Sequence, residues 1–218
     1  SASTHTGGIT VSNGVLLVNN INGSGTGLGS VLVQNGATLG GNGSIGSAAS
    51  AAGITIASGG KLQVGNSHGG TSGSASDLAL STSGLGTINL TGTLQFDLFT
   101  RQPGSNSTAN NDVIRVTSST AVVLGGVLEV LNSTGASTAS WGYGDSWQLF
   151  DWSGVSLGTP TSGSFASMNL PALNPGLSWD TSALFTTGFI TVTPEPGRVL
   201  LVLAGLFSLA WGRRRRVG

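Results

Sequence analysis

The side chains able to do chemistry are few. The chain has 218 residues, with eight Lys and Arg, eight Asp and Glu, two His and no Cys. The missing cysteine removes disulfides, thiolate metal sites and thiol nucleophiles together. His5 and His68 stand in Gly-, Ser- and Thr-rich surroundings, with no G-x-S-x-G elbow to make either part of a hydrolase triad. Residues 23–29 read G-x-G-x-G-x-G, but no helix follows to turn its N-terminus toward a phosphate. Gly40-Gly41-Asn42-Gly43-Ser44 is half of a calcium-binding turn without the aspartate that would hold the ion. The Asn-x-Ser/Thr triplets at Asn22, Asn42, Asn89, Asn106 and Asn132 are expected by chance in so Asn-, Ser- and Thr-rich a chain.

One constellation remains. Asp145 and Asp151 flank Trp147 and Trp152. Cleaving a glycosidic bond needs a pair of carboxyl groups, and indole rings offer flat faces to sugars. Trp147 and Trp152 are therefore the candidate sugar-stacking residues, and a glycan-cleaving enzyme is the rival that uses Asp145 and Asp151. No basic residue lies nearby to serve a lyase. The expectation is a protein without catalytic residues, metal or cofactor.

Composition narrows the partners. Charged residues are 7 % of the chain and Gly supplies 37 of 218 positions. The zero net charge conceals an asymmetry. Before Pro194 there are three cations, Lys61, Arg101 and Arg115, against seven acids, a balance of −4. A sparse, acidic body of this kind has no electrostatic footprint for nucleic acid.

The elements that must position these residues announce themselves as a repeat. Ile9-Thr10-Val11-Ser12-Asn13-Gly14-Val15-Leu16-Leu17-Val18 is the first copy. Val31-Leu32-Val33-Gln34-Asn35-Gly36-Ala37-Thr38-Leu39 and Ile54-Thr55-Ile56-Ala57-Ser58-Gly59-Gly60-Lys61-Leu62-Gln63-Val64 are the next two. Each reads as a β-branched strand, a polar corner with Gly, and a second strand. The corner glycines Gly14, Gly36 and Gly59 are 22 and 23 residues apart. A fixed period in the twenties predicts a solenoid, with alternate aliphatic residues inward and glycine supplying positive φ at each corner. Stacking such units builds a core that one unit cannot. Antiparallel hairpins are the alternative, because Asn-Gly also closes hairpins. Further β patterns follow at residues 88–98, 112–116, 121–131, 146–150 and 188–192, with residues 103–111 as a polar excursion. All five Trp lie at or after position 141, which predicts a wider, capped end or a small sandwich. No helix of ordinary length is expected outside the tail.

The repeat resembles the autotransporter-associated β-strand repeat, of the form G-x-L-x-V-x-x-G-x-L-x-V with a Gly-rich coil after it. The resemblance spans about residues 7–67 and includes the Gly40-Gly41-Asn42-Gly43-Ser44-Ile45-Gly46 coil. It implies a right-handed parallel β-helix. It does not imply self-transport, because the family's translocating barrel is not in this sequence. Leu170-Pro171-Ala172-Leu173, Gly176-Leu177-Ser178-Trp179-Asp180-Thr181-Ser182 and Gly188 look like the segment that precedes the sorting tail in such proteins, and the Gly-Asp-Ser-Trp turn at Asp145 looks like a structural part of that segment.

The tail has three parts in order. Pro194, Glu195 and Pro196 break the preceding fold. Residues 199–211 carry no charge and end at Trp211, and Arg213, Arg214, Arg215 and Arg216 follow. An apolar run is stable in lipid only as a helix, and arginines hold its end on the cytoplasmic side. Residues 197–212 make roughly 24 Å of helix, and snorkelling and local thinning cover the remainder of the bilayer. A buried C-terminal helix is the alternative, but the chain offers it no partner helix. The three parts together resemble the PEP-CTERM protein-sorting signal of Gram-negative envelopes. That resemblance implies recognition by an exosortase and cleavage near the triplet.

The expected organisation is a β-solenoid over residues 1–68, a β-rich section over 69–193 and a sorting tail over 194–218. The expected fold class is all-β: a right-handed parallel β-helix with a C-terminal hydrophobic helix. The expected function is that of an exported structural protein of the cell envelope or matrix, membrane-anchored as a precursor with its N-terminal part outside. Exopolysaccharide is the alternative partner. Ser1 is not Met, and residues 1–8 show no cap for the first repeat, so further repeats are expected upstream behind an export signal.

Overall fold

The computed structural model describes residues 2–20, 22–46, 52–65, 77–81, 86–98, 111–119, 121–133, 141–155 and 162–195. In chain order the first ten strands are β1 (Ile9–Val11), β2 (Gly14–Leu17), β3 (Val31–Val33), β4 (Ala37–Gly41), β5 (Ser44–Ile45), β6 (Ile54–Ile56), β7 (Lys61–Val64), β8 (Asp77–Ser81), β9 (Thr87–Leu90) and β10 (Thr93–Leu98). They are followed by β11 (Val113–Ser118), β12 (Ala121–Leu124), β13 (Val127–Asn132), β14 (Ser146–Gln148), β15 (Phe150–Asp151), β16 (Ser162–Gly163), β17 (Ser167–Asn169), β18 (Leu177–Asp180) and β19 (Phe189–Pro194).

Short aliphatic runs punctuated by Gly, Asn and Ser give short strands, and the strands assemble into three parallel sheets. The first has the order β1-β3-β6-β9-β12-β16 and the second β17-β13-β10-β7-β4-β2. The third is β15-β11-β8-β5. The pairing within each repeat copy is not that of a hairpin, since β1 pairs with β3 and β2 with β4, both parallel.

Register stacks like on like. In the first sheet Ile9, Val31, Ile54, Ile88 and Val122 form one row. Val11, Val33, Ile56, Leu90 and Leu124 form the next. In the second sheet the row is Leu16, Leu39, Leu62, Leu94, Leu128 and Met168. The middle four leucines expose nothing to solvent. Side chains alternate between faces along a strand, so each row turns inward while its neighbours face out. Burying one such side chain stabilises the fold by roughly 1.5–3 kcal/mol. A single hydrophobic cluster built this way runs from Val11 to Val192.

The corners stack as well. Gly14, Gly36 and Gly59 have φ of 78°, 82° and 78°. The Gly36 N–H donates to Gly59 O at 3.0 Å, and the N–H groups of Gln34, Ala57, Thr91 and Gly125 donate to Val11, Val33, Ile56 and Leu90. The backbone is thus paired around the bend, with no break between one sheet and the next. A glycine also stands directly before the second strand of the next two layers, Gly92 before β10 and Gly126, with φ of 58°, before β13. The parallel sheets therefore continue past residue 68.

The expected fold class needs correction. No helix occurs among the described residues, and residues 197–212, where the hydrophobic helix was expected, lie outside them. Nor do the sheets show the expected right-handed β-helix. β14 and β18 pair antiparallel with β19, making a separate three-stranded sheet. The reason lies in side-chain volume. Trp141, Trp147 and Trp179 pack with ring centroids 5.1 to 5.7 Å apart, a cluster too bulky for rows of Val, Ile and Leu. The architecture is strand-rich, with three parallel sheets and one antiparallel sheet.

Replacing Leu94 by Ala should lower the unfolding free energy by roughly 2–5 kcal/mol, because the cavity opens between two fixed rows. Replacing Val15, which is 67 % exposed, should change it by no more than about 0.5 kcal/mol. Denaturant titrations of the two variants read both values.

Candidate functional site

The structure uses Asp145 and Asp151 to close turns. Asp145 is fully buried, and its Oδ2 accepts the Gly142 N–H at 2.7 Å. Its own N–H donates to Gly142 O at 3.1 Å, and its carbonyl accepts the Val192 N–H at 2.8 Å. Asp145 thus ties the Trp141–Asp145 bend to β19. Asp151 accepts the Ser153 N–H at 3.0 Å. Asp180 does the same after β18: Ser182 donates to it from its side chain and from its backbone N–H, and these bonds hold its carboxyl below the usual range.

Trp147 and Trp152 are each only 2 % exposed, so neither offers a ring face to a sugar. Trp147 lies between Trp141 and Trp179. Trp152 stacks on Phe150 with centroids 4.5 Å apart and planes 8° apart, and its indole N–H donates to Leu184 O at 3.0 Å. The sugar-stacking role expected for these two residues is corrected accordingly: they are core. Tyr143, 72 % exposed at the tip of the same bend, is the aromatic that faces water there. His5 is exposed, and His68 lies outside the described residues.

Of the Pro194-Glu195-Pro196 triplet, Pro194 ends β19 and is paired with Leu177. The Glu195 N–H donates to Gly176 O at 3.0 Å, so the fold extends into the triplet and does not stop before it. Proline is tolerated because β19 has a partner on one side only at this point. Pro196, Arg213, Arg214, Arg215 and Arg216 lie outside the described residues.

What the structure brings together is a polar row on the outer face of the second sheet. Register aligns Gln63, Gln95, Glu129 and Asn169 on β7, β10, β13 and β17. Lys61 reaches across this row. Its Nζ lies 3.4 Å from Gln95 Oε1 and 3.5 Å from Glu129 Oε2. Gln95 Nε2 donates to the same Glu129 Oε2 at 2.6 Å. The chain's one lysine thus meets one of its two glutamates across 68 residues of sequence. With side chains about a third exposed (36 % and 29 %), the ion pair itself contributes at most about 1 kcal/mol. Its larger effect is orientation. It fixes Glu129 through Oε2, and among the described residues Oε1 takes no hydrogen bond.

Beside Glu129 a groove of about 370 Å³ opens, lined by residues 129–132 and 169–172. Leu131, Leu170, Pro171 and Ala172 give it apolar walls, while Glu129, Asn132 and Asn169 give it polar ones. Sequence reading passed over this row because Lys61, Gln95 and Glu129 are 34 residues apart in turn. The usable signal is that Lys61 precedes Leu62 while Gln95 and Glu129 follow Leu94 and Leu128, leucines of one inward row.

A second polar cluster is structural. Ser133 donates its hydroxyl to Asp97 at 2.6 Å, the Asp97 N–H donates to Asp112 Oδ2 at 2.9 Å, and Asn111 Nδ2 donates to Gln148 O at 2.6 Å. Among the described residues no three His, Asp or Glu side chains converge as metal ligands.

Trp147→Ala should cost roughly 3–5 kcal/mol of stability, read by thermal or denaturant unfolding. Tyr143→Ala should cost no more than about 0.5 kcal/mol. No protein-family model matches the chain, and no curated protein gives a match to it.

Proposed function

We propose that this is an exported, non-enzymatic structural protein of a Gram-negative cell envelope or matrix, directed there by its C-terminal sorting signal. The observation that carries the reading is the make-up of the folded body. Its core is held by register-matched aliphatic rows and backbone pairing, with no cysteine and few charges. Such a body keeps its shape without disulfides or metal and suits a passive, load-bearing or surface-covering role. Asp145 and Asp151, the carboxylates that a glycan-cleaving activity would use, are committed to turns.

The sorting role rests on the order of triplet, apolar run and arginines in residues 194–216. An exosortase is the partner that this order fits, and the membrane is the partner of the apolar run before processing. No helix among the described residues is long and apolar enough to cross a membrane.

Replacing Arg213, Arg214, Arg215 and Arg216 together by Ser should impair retention and processing in the native host. Mass spectrometry of the mature protein, with cell fractionation, reads both. An unchanged mature mass and location would refute the sorting reading.

A further inference from the structure

The groove beside Glu129 has a chemistry of its own. Two of its polar groups are uncommitted. Glu129 Oε1 takes no hydrogen bond, both bonds to this carboxylate going to Oε2. The Asn169 amide is exposed and makes no hydrogen bond with any described residue. Glu129 and Asn169 are register partners on adjacent parallel strands, about 4.8 Å apart. A carboxylate oxygen accepts a hydroxyl proton, and an amide both donates and accepts, so the pair can engage adjacent hydroxyl groups on one ring. Leu131, Leu170, Pro171 and Ala172 supply apolar surface against which the C–H face of that ring can rest. The groove volume falls within the range of small-ligand sites.

Charge selects among ligands. An acidic group would meet the Glu129 carboxylate, and Lys61, the cation beside it among the described residues, already pairs with it. A cationic ligand is disfavoured for the complementary reason: Lys61 and the Gln95 amide already satisfy one carboxylate oxygen and neutralise much of its charge.

We propose that the groove formed by residues 129–132 and 169–172 binds one unit of a neutral glycan, with Glu129 Oε1 and the Asn169 amide holding adjacent hydroxyls. The site lies on the outer face of the second parallel sheet, away from Trp147 and Trp152. It does not depend on the sorting signal.

Isothermal titration of the full chain with cellohexaose, xylohexaose, maltohexaose and mannohexaose tests the proposal, with trigalacturonate and tetralysine as charged comparisons. At least one neutral probe should bind. Asn169→Ala, at an exposed position, should weaken that binding roughly tenfold, as should Ala172→Trp, which fills the groove. Circular dichroism melts should show both variants folded. Trigalacturonate should bind at least about tenfold more weakly than the best neutral probe. Three results would overturn the proposal: no neutral probe binding at millimolar concentration, sugar binding that both variants leave intact, or tetralysine binding more tightly than every sugar. If Ala172→Trp does not fold, the Asn169→Ala titration decides alone.

Discussion

The structure depends on one constraint: parallel strands must stack in register, with the same residue type above itself. The inward leucines at 39, 62 and 94 meet another leucine on each neighbouring strand, and Leu128 meets Leu94 and Met168. A one-residue slip would turn every member of that row to water and bring the outer row inside. The cost of a slip therefore grows with each layer, and this compensates for the lack of disulfides in a chain without cysteine. The corners follow from the same constraint. They have to turn the chain while keeping its N–H groups aimed at the layer next to them, and positive-φ glycines at 14, 36 and 59 permit that turn.

The outer face gains its chemistry from this order. Parallel register turns residues scattered through the sequence into neighbours. Lys61, Gln95 and Glu129 have no local relationship, yet one hydrogen-bonded chain connects them. The ion pair in it is weak, because both ends face solvent. Its consequence is positional, since both bonds to the Glu129 carboxylate go to Oε2, beside a groove that Leu131, Leu170, Pro171, Ala172, Asn132 and Asn169 also line. The inner face is nearly uniform and carries the stability. The outer face varies from layer to layer and carries whatever specificity the protein has.

Much of this was legible in the sequence, and the parts that were not have physical reasons. The strands at 9–17, 31–41 and 54–64 could be read from the period of the glycines at 14, 36 and 59. Past the third copy, Gly60, Gly92 and Gly126 precede the register-matched Lys61, Thr93 and Val127, so the spacing lengthens from 22 and 23 to 32 and 34. The third-sheet strands β8 and β11 fall within those longer layers, and Asp77–Ser81 has no repeat signature of its own. The burial of Trp147 and Trp152 was not legible, because a tryptophan near a carboxylate reads the same whether it faces a ligand or a core. Three-dimensional neighbours decide, and here they are Trp141, Trp179 and Phe150. The antiparallel end was not legible either. Its partners, Ser146–Gln148 and Phe189–Pro194, are about forty residues apart and share no motif.

The most direct test of the in-register stack uses the chain's lack of cysteine. Gln63 and Gln95 are register partners on the outer face of adjacent strands, so their Cα atoms lie within disulfide range. In a Gln63→Cys, Gln95→Cys double variant, mild oxidation should form an intramolecular disulfide, seen as a loss of about 2 Da by intact mass spectrometry. Gln63→Cys combined with Thr93→Cys, displaced by two residues along β10, should cross-link far more slowly. The reverse preference, or no cross-link from the first pair, would contradict the stacked register on which the rest of the structure is built.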